Sequence, residues 1–140
     1  MSLFVPESDP LRGDRRLSPA AAKQLSPQAL AYLGDALYEF YVRLRLLLPA
    51  QRSHQFHQSV VAAVRAERQA ELLMSLLPLL TAEELEIVRR GRNAAGRVPR
   101  RLTAECYQQA TGLETLLGYL YLCDPQRLQA LLQLLPVTEH

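Results

Sequence analysis

With 140 residues, 49% of them apolar and 21% charged, the chain is sized for one globular domain and too hydrophobic for extensive disorder. Its longest apolar stretches, around 46–48 and 72–80, fall short of the roughly 18 residues a membrane-spanning helix needs, and its start, MSLFVPESDP, does not read as a secretion signal. The net charge of +2 is unevenly distributed: Lys23 is the only lysine, while six arginines lie between Arg89 and Arg101 with no acid among them, which points to a local anionic partner and not to a general polyanion coat.

Residues 1–24, rich in Pro, Asp, Arg and Ser without sustained periodicity, read as a flexible arm ahead of one domain over 25–140. Ser26 and Pro27 supply a helix N-cap and a first-turn proline. QALAYLGDALYEFYVRLRLLL then runs to Pro49 with one internal glycine as its only breaker. Apolar on most sides, this helix should be central to the fold. A second helix is expected over 53–64 and a third over 66–77, ending near Pro78. Thr81 and Glu84 form a capping box that opens a fourth, running through Arg90. Gly91, Gly96 and Pro99 then break the pattern and leave RGRNAAGRVPRR as an arginine-rich loop. Thr103 caps a fifth helix to Cys123, and Asp124-Pro125 repeats the cap-plus-proline signal for QRLQALLQLL. No segment alternates like a strand, so the fold class is all-α with about six helices. Cys106 and Cys123 match neither a disulfide framework nor a metal knuckle and read as free thiols of a reducing cytoplasm.

Two acids stand where acids are costly. Asp35 lies within the most apolar helix, in LAYLGDALYEF, and Glu114 lies in the fifth, in ATGLETLLGYLYL. A buried carboxylate is normally paired, protonated or bound to a cation. Gly34 adjoins Asp35, while Gly112 and Gly118 flank Glu114, and a glycine inside a helix is most simply explained by a second backbone passing close. Two helices crossing at these glycines would bring the carboxylates together as a hard, oxygen-rich site suited to Mg²⁺. The plainer alternative is that each acid pairs with an arginine such as Arg43, Arg89 or Arg90, and spacing alone leaves both readings open.

LAYLGDALYEFYVR resembles the signature helix of the ribonuclease III superfamily, and GLETLLGYLYL resembles its second acidic helix. The closer resemblance is to the Mini-III ribonucleases, short members without a separate double-stranded RNA-binding domain. It extends to IVRRGRNA, to VP within the loop, to Tyr107 followed by ATGLE, and to Phe56, His57, Val64, Ala66, Gln69 and Ala70 of FHQSVVAAVRAERQAE. These motifs occur in order over roughly 25–135.

The resemblance implies a ribonuclease III-like, homodimeric, all-helical endonuclease that cuts double-stranded RNA with Mg²⁺, Mn²⁺ being a substitute, and leaves 5′-phosphate and 3′-hydroxyl ends. Asp35 and Glu114 match the family's metal-binding catalytic carboxylates. Longer members carry a glutamate where this chain has Ala31 and an aspartate where it has Thr111; Mini-III members resemble this chain in lacking both. Arg65 and Glu67 depart from the small and basic residues usual there, a difference expected to be peripheral. The implied role is cytoplasmic, in maturation of precursor large-subunit ribosomal RNA, with a ribosomal protein as an assisting partner and no membrane involvement.

Arg89, Arg90, Arg92, Asn93, Arg97, Arg100 and Arg101 are the candidate RNA contacts, since glycine-separated arginines can follow phosphates across a duplex. His54 and His57 could share a helix face as metal ligands do, but without a third ligand the bland reading is preferred, with His57 a structural hydrogen-bonder. Glu39, one turn after Asp35, could approach the metal through water or pair with Arg43 at i+4, and the pairing is the preferred reading. Tyr32, Tyr38, Tyr107, Tyr119 and Tyr121 read as core or interface residues. Two other readings remain: a weak or inactive scaffold that holds duplex RNA, favoured by Ala31 and Thr111, and a helical DNA-binding or protein-interaction domain. The latter is disfavoured because the basic residues lie in a glycine-broken loop and not on a recognition helix.

Overall fold

The computed structural model describes residues 11–13 and 15–136. They form seven α-helices and one 3₁₀ turn: α1 (Pro19–Lys23), α2 (Pro27–Leu46), α3 (Ser53–Val64), α4 (Ala66–Leu76), the turn Leu77–Leu79, α5 (Ala82–Asn93), α6 (Ala104–Cys123) and α7 (Pro125–Gln133). No strand occurs among the described residues, as the lack of alternation requires.

The helix starts follow local chemistry. Ser26 Oγ accepts from Ala29 N–H at 3.0 Å and Thr103 Oγ1 from Cys106 N–H at 3.1 Å. At α5 the capping box is complete, with Thr81 Oγ1 taking the Glu84 N–H at 3.1 Å and Glu84 Oε1 taking the Thr81 N–H at 2.9 Å. Asp124 caps α7, accepting from Arg127 N–H at 3.2 Å. Between α3 and α4 a single extended residue, Arg65, breaks the helix.

Three boundaries differ from the sequence expectation. Residues 19–23 form the short helix α1, whose Ala22 is fully buried, and Leu17 N–H reaches the Leu122 carbonyl of α6 at 2.8 Å. The expected arm thus includes described residues packed on the core, while residues 1–10 and 14 lie outside the described residues. α2 stops at Leu46, short of Pro49. α5 continues past the expected end at Arg90 through Gly91 to Asn93, with Gly91 packed against Thr115 and Gly112 of α6.

α6 is the axis of the molecule. α1, α2, α4, α5 and α7 all pack on it, and from Leu113 to Tyr121 every residue except Glu114 is buried. Its buried set runs around the whole helix, so α6 has no amphipathic stripe. α5 is held at its start by Glu84, only 5% exposed, which takes Arg127 Nε at 2.8 Å and Nη2 at 3.0 Å. Burial works to raise the pKa of this carboxyl, but the hydrogen bonds from Arg127 and Thr81 outweigh it and hold the pKa below the ordinary value.

Candidate active site

The crossing of α2 and α6 is made possible by glycine. A Cβ at position 34 would lie 1.7 Å from the Glu114 carbonyl oxygen, and one at position 118 would lie 2.1 Å from the Leu30 carbonyl oxygen. No side chain fits either place, so the two backbones touch. Gly112 plays a different part from the one expected of it: it faces α5, where a Cβ would meet Arg92 Cγ at 2.9 Å and Val88 Cγ1 at 3.1 Å. The crossing brings together the residue after Gly34 and the residue against it. The carboxyls of Asp35 and Glu114 share a hydrogen bond.

The two acids differ in exposure. Asp35 is exposed and Glu114 is partly buried. Burial, then the charge of Asp35, then the hydrogen bond with Asp35 push the Glu114 pKa up to about 8, while a hydrogen bond from Gln69 works in the opposite direction. With no cation at hand, Glu114 therefore keeps its proton at neutral pH. A divalent cation can take the place of that proton, because it relieves the same repulsion between two adjacent carboxylates.

The donor set fits a hard cation. Asp35 and Glu114 offer two carboxylates here, and among the described residues no group of three or more His, Cys, Asp or Glu is arranged to hold a metal. Mg²⁺, which retains several of its waters, suits such a set better than a fully protein-ligated ion does. Asp35 opens onto a shallow groove along α2 lined by Tyr32, Ala36, Glu39, Phe40 and Arg43. Glu39 pairs with Arg43 as expected from their spacing, so neither Asp35 nor Glu114 depends on Arg43 for a partner. His54 and His57 are both exposed on α3. Ala31 is buried, and Thr111 donates its hydroxyl to the Tyr107 carbonyl at 2.9 Å.

A family model for the ribonuclease III domain matches residues 28–125, which include both acids and the whole α2–α6 crossing. Mini-ribonuclease 3 of Synechococcus sp. is 93% identical over 138 residues, covering 99% of this chain and 100% of that protein. The chain belongs to the Mini-III ribonucleases of the ribonuclease III family. Mini-ribonuclease 3 of Synechocystis sp. is 57% identical over 126 residues, 88% of each chain. A crystal structure of a Fusobacterium nucleatum protein superposes with a TM-score of 0.74 at 27% identity, over 80% of this chain and 92% of that one. The resemblance carried by the two acidic helices is thus borne out, and as a Mini-III ribonuclease the protein is an endoribonuclease.

In this Mini-III chain the arginine segment is not the uniform loop expected. Arg89, Arg90, Arg92 and Asn93 lie on α5, and only Arg97, Arg100 and Arg101 follow it in irregular backbone. Arg89 is paired with Glu86 on its own helix. Arg92 is partly buried, its stem against Gly112 and its Nε sealed from solvent. Arg101 approaches Glu67 of α4 at 3.7 Å, which gives Glu67 a contact at the edge of this segment. Arg97 and Arg100 are exposed and make no ion pair among the described residues. The tyrosines divide as well. Tyr38 donates to the Ala63 carbonyl at 3.1 Å and Tyr119 and Tyr121 are buried, whereas Tyr32 is 85% exposed beside Asp35.

In the sequence Gln69 figures only as one of the residues that match the family, and its place beside Glu114 is not legible there. Gln69 of α4 hydrogen-bonds Glu114 and is 3% exposed. The sequence does carry a signal for it: Gln69 is an amide on the apolar face of an amphipathic helix, among Ala70, Leu72 and Leu73, as Asp35 is an acid within an apolar helix.

Proposed function

We propose that this Mini-III chain cleaves double-stranded RNA by divalent-cation-assisted hydrolysis of a phosphodiester, with Asp35 and Glu114 holding the cation. The observation that carries the reading is the contact of these two carboxyls across the α2–α6 crossing, one exposed and one half-buried with its pKa raised by burial and by its neighbour. When bound, Mg²⁺ or Mn²⁺ supplies a Lewis acid for the scissile phosphate and lowers the pKa of a water. Asp35, exposed at the groove, would hold the cation from the open side, and Glu114, half-buried on α6, would hold it from the packed side. The products expected are 5′-phosphate and 3′-hydroxyl ends.

Arg97 and Arg100, exposed and without ion-pair partners among the described residues, are the foremost phosphate contacts, supported by Arg90 and Asn93 at the end of α5. Arg89, Arg92 and Arg101 are constrained by Glu86, Gly112 and Glu67 and contribute less freely. A homodimer is supported by the apolar surface on α2 and just beyond it, where Tyr32, Phe40, Leu44, Leu47 and Leu48 are exposed next to the acidic groove. Precursor large-subunit ribosomal RNA is the proposed substrate, in the cytoplasm, with a ribosomal protein assisting. No helix among the described residues is long and apolar enough to cross a membrane.

The test uses a labelled RNA duplex with Mg²⁺ or EDTA, beside Asp35→Asn and Glu114→Gln. Metal-dependent cutting that falls at least about 100-fold in both variants supports the reading. A scaffold that binds without cutting is the second reading, favoured by Ala31 and Thr111, which stand where longer family members carry acids. Duplex binding with no cleavage by the unaltered protein would establish it.

A further inference from the structure

Gln69 sits on α4 where that helix packs against α6. Its Nε2 donates to the Val64 carbonyl at 2.8 Å, and since a carbonyl only accepts, this bond sets which way the amide faces. The same side chain hydrogen-bonds the Glu114 carboxyl. Its Oε1 is buried without a hydrogen-bond partner. Packing alone does not account for such a residue, because leucine or methionine would fill similar space without burying an unpaired amide oxygen. A buried, oriented amide is, however, well suited to hold a carboxylate in one rotamer, as the groups behind metal ligands do.

We infer that Gln69 is a positioning residue for Glu114: anchored on the Val64 carbonyl, its amide holds the Glu114 carboxyl toward Asp35, so that the two acids converge on one divalent cation. The inference rests on the cation-holding role proposed for Asp35 and Glu114. Gln69 itself touches neither RNA nor the reacting phosphate; it acts through Glu114. Loss of the amide leaves the carboxyl free to leave the shared position, which weakens cation binding and slows turnover without altering how the duplex is gripped.

The experiment compares the full chain with Gln69→Met and Gln69→Asn. Mn²⁺ affinity is read by titration calorimetry, duplex affinity in EDTA, and kcat and KM in Mg²⁺. In Gln69→Met the Mn²⁺ Kd rises and kcat falls, each by about 10–100-fold, while duplex affinity in EDTA and KM stay put. Adding Gln69→Met to Glu114→Gln changes the Mn²⁺ Kd by less than about twofold, as an effect routed through position 114 requires. If Gln69→Met does not fold, Gln69→Asn, which keeps an amide too short to reach both Val64 and Glu114, carries the same expectation. Unaltered Mn²⁺ affinity and kcat in a folded variant overturn the inference. If Asp35→Asn and Glu114→Gln themselves leave Mn²⁺ binding and cleavage intact, the two-carboxylate reading fails; if they abolish both while the Gln69 variants do not, only the role of Gln69 fails.

Discussion

The α2–α6 crossing and the arginine segment carry charge in opposite ways. At the crossing, two acids are held by backbones in contact, and a single Cβ would force them apart. Along 89–101, six arginines are presented by a surface whose constraint fades toward Arg97 and Arg100. A site that must place two oxygens on one ion needs the first kind of support, since misplacement of an ångström defeats it. A surface that follows phosphates on a duplex works with the second, because its attraction depends on charge and proximity more than on fixed geometry.

Gly34→Ala strikes the crossing hardest. With the new Cβ 1.7 Å from a backbone carbonyl, stability measured by urea unfolding should fall by about 4 kcal/mol or more. Gly96→Ala, in the arginine segment with nothing within 4 Å, should stay within about 0.5 kcal/mol of the parent. Similar losses in both would erase the contrast.

The base of the arginine segment is more firmly tied than its end. Glu84→Ala leaves the guanidinium of Arg127 without its carboxylate and should cost about 3 kcal/mol, again read by urea unfolding.

Glu114→Gln separates fold from chemistry by pH. Between about 4.5 and about 8 the folded chain keeps a proton on Glu114 that the unfolded chain has released, so metal-free stability falls as pH rises through that window. Glutamine removes this loss. In EDTA near pH 9 the variant should be more stable than the parent by about 2 kcal/mol after allowance for solvent screening, and near pH 4 the difference should vanish. A parent whose stability rises across the window would contradict the buried, proton-sharing arrangement.

The smallest effect on the fold belongs to Arg97→Ala with Arg100→Ala, expected within about 0.5 kcal/mol in stability. Duplex RNA binding in EDTA should weaken, and its dependence on log salt should flatten by about one for each phosphate contact removed. An unchanged slope would take these two arginines out of the interface.

Much of this was legible in the chain itself. Ser26-Pro27, the Thr81–Glu84 box, Thr103 and Asp124-Pro125 announce helix starts because capping is a bond between residues two or three apart. Asp35 and Glu114 stood out because an acid in an apolar helix is costly wherever the helix goes. The end of α5 was less legible, since Gly91 reads locally as a break yet lies inside the helix, packed so closely on α6 that a Cβ there would lie 2.3 Å from Thr115 Oγ1.

What sequence alone determined was therefore the helical inventory, the two anomalous acids and the family, each written in short-range pattern. Which glycine faces which helix, that Gln69 stands behind Glu114, and which arginines remain free to reach outward were decided only when α2, α4 and α5 closed on α6. Those relations join residues far apart in the chain, and steric fit between packed backbones, unlike helical periodicity, leaves no mark in the neighbouring residues.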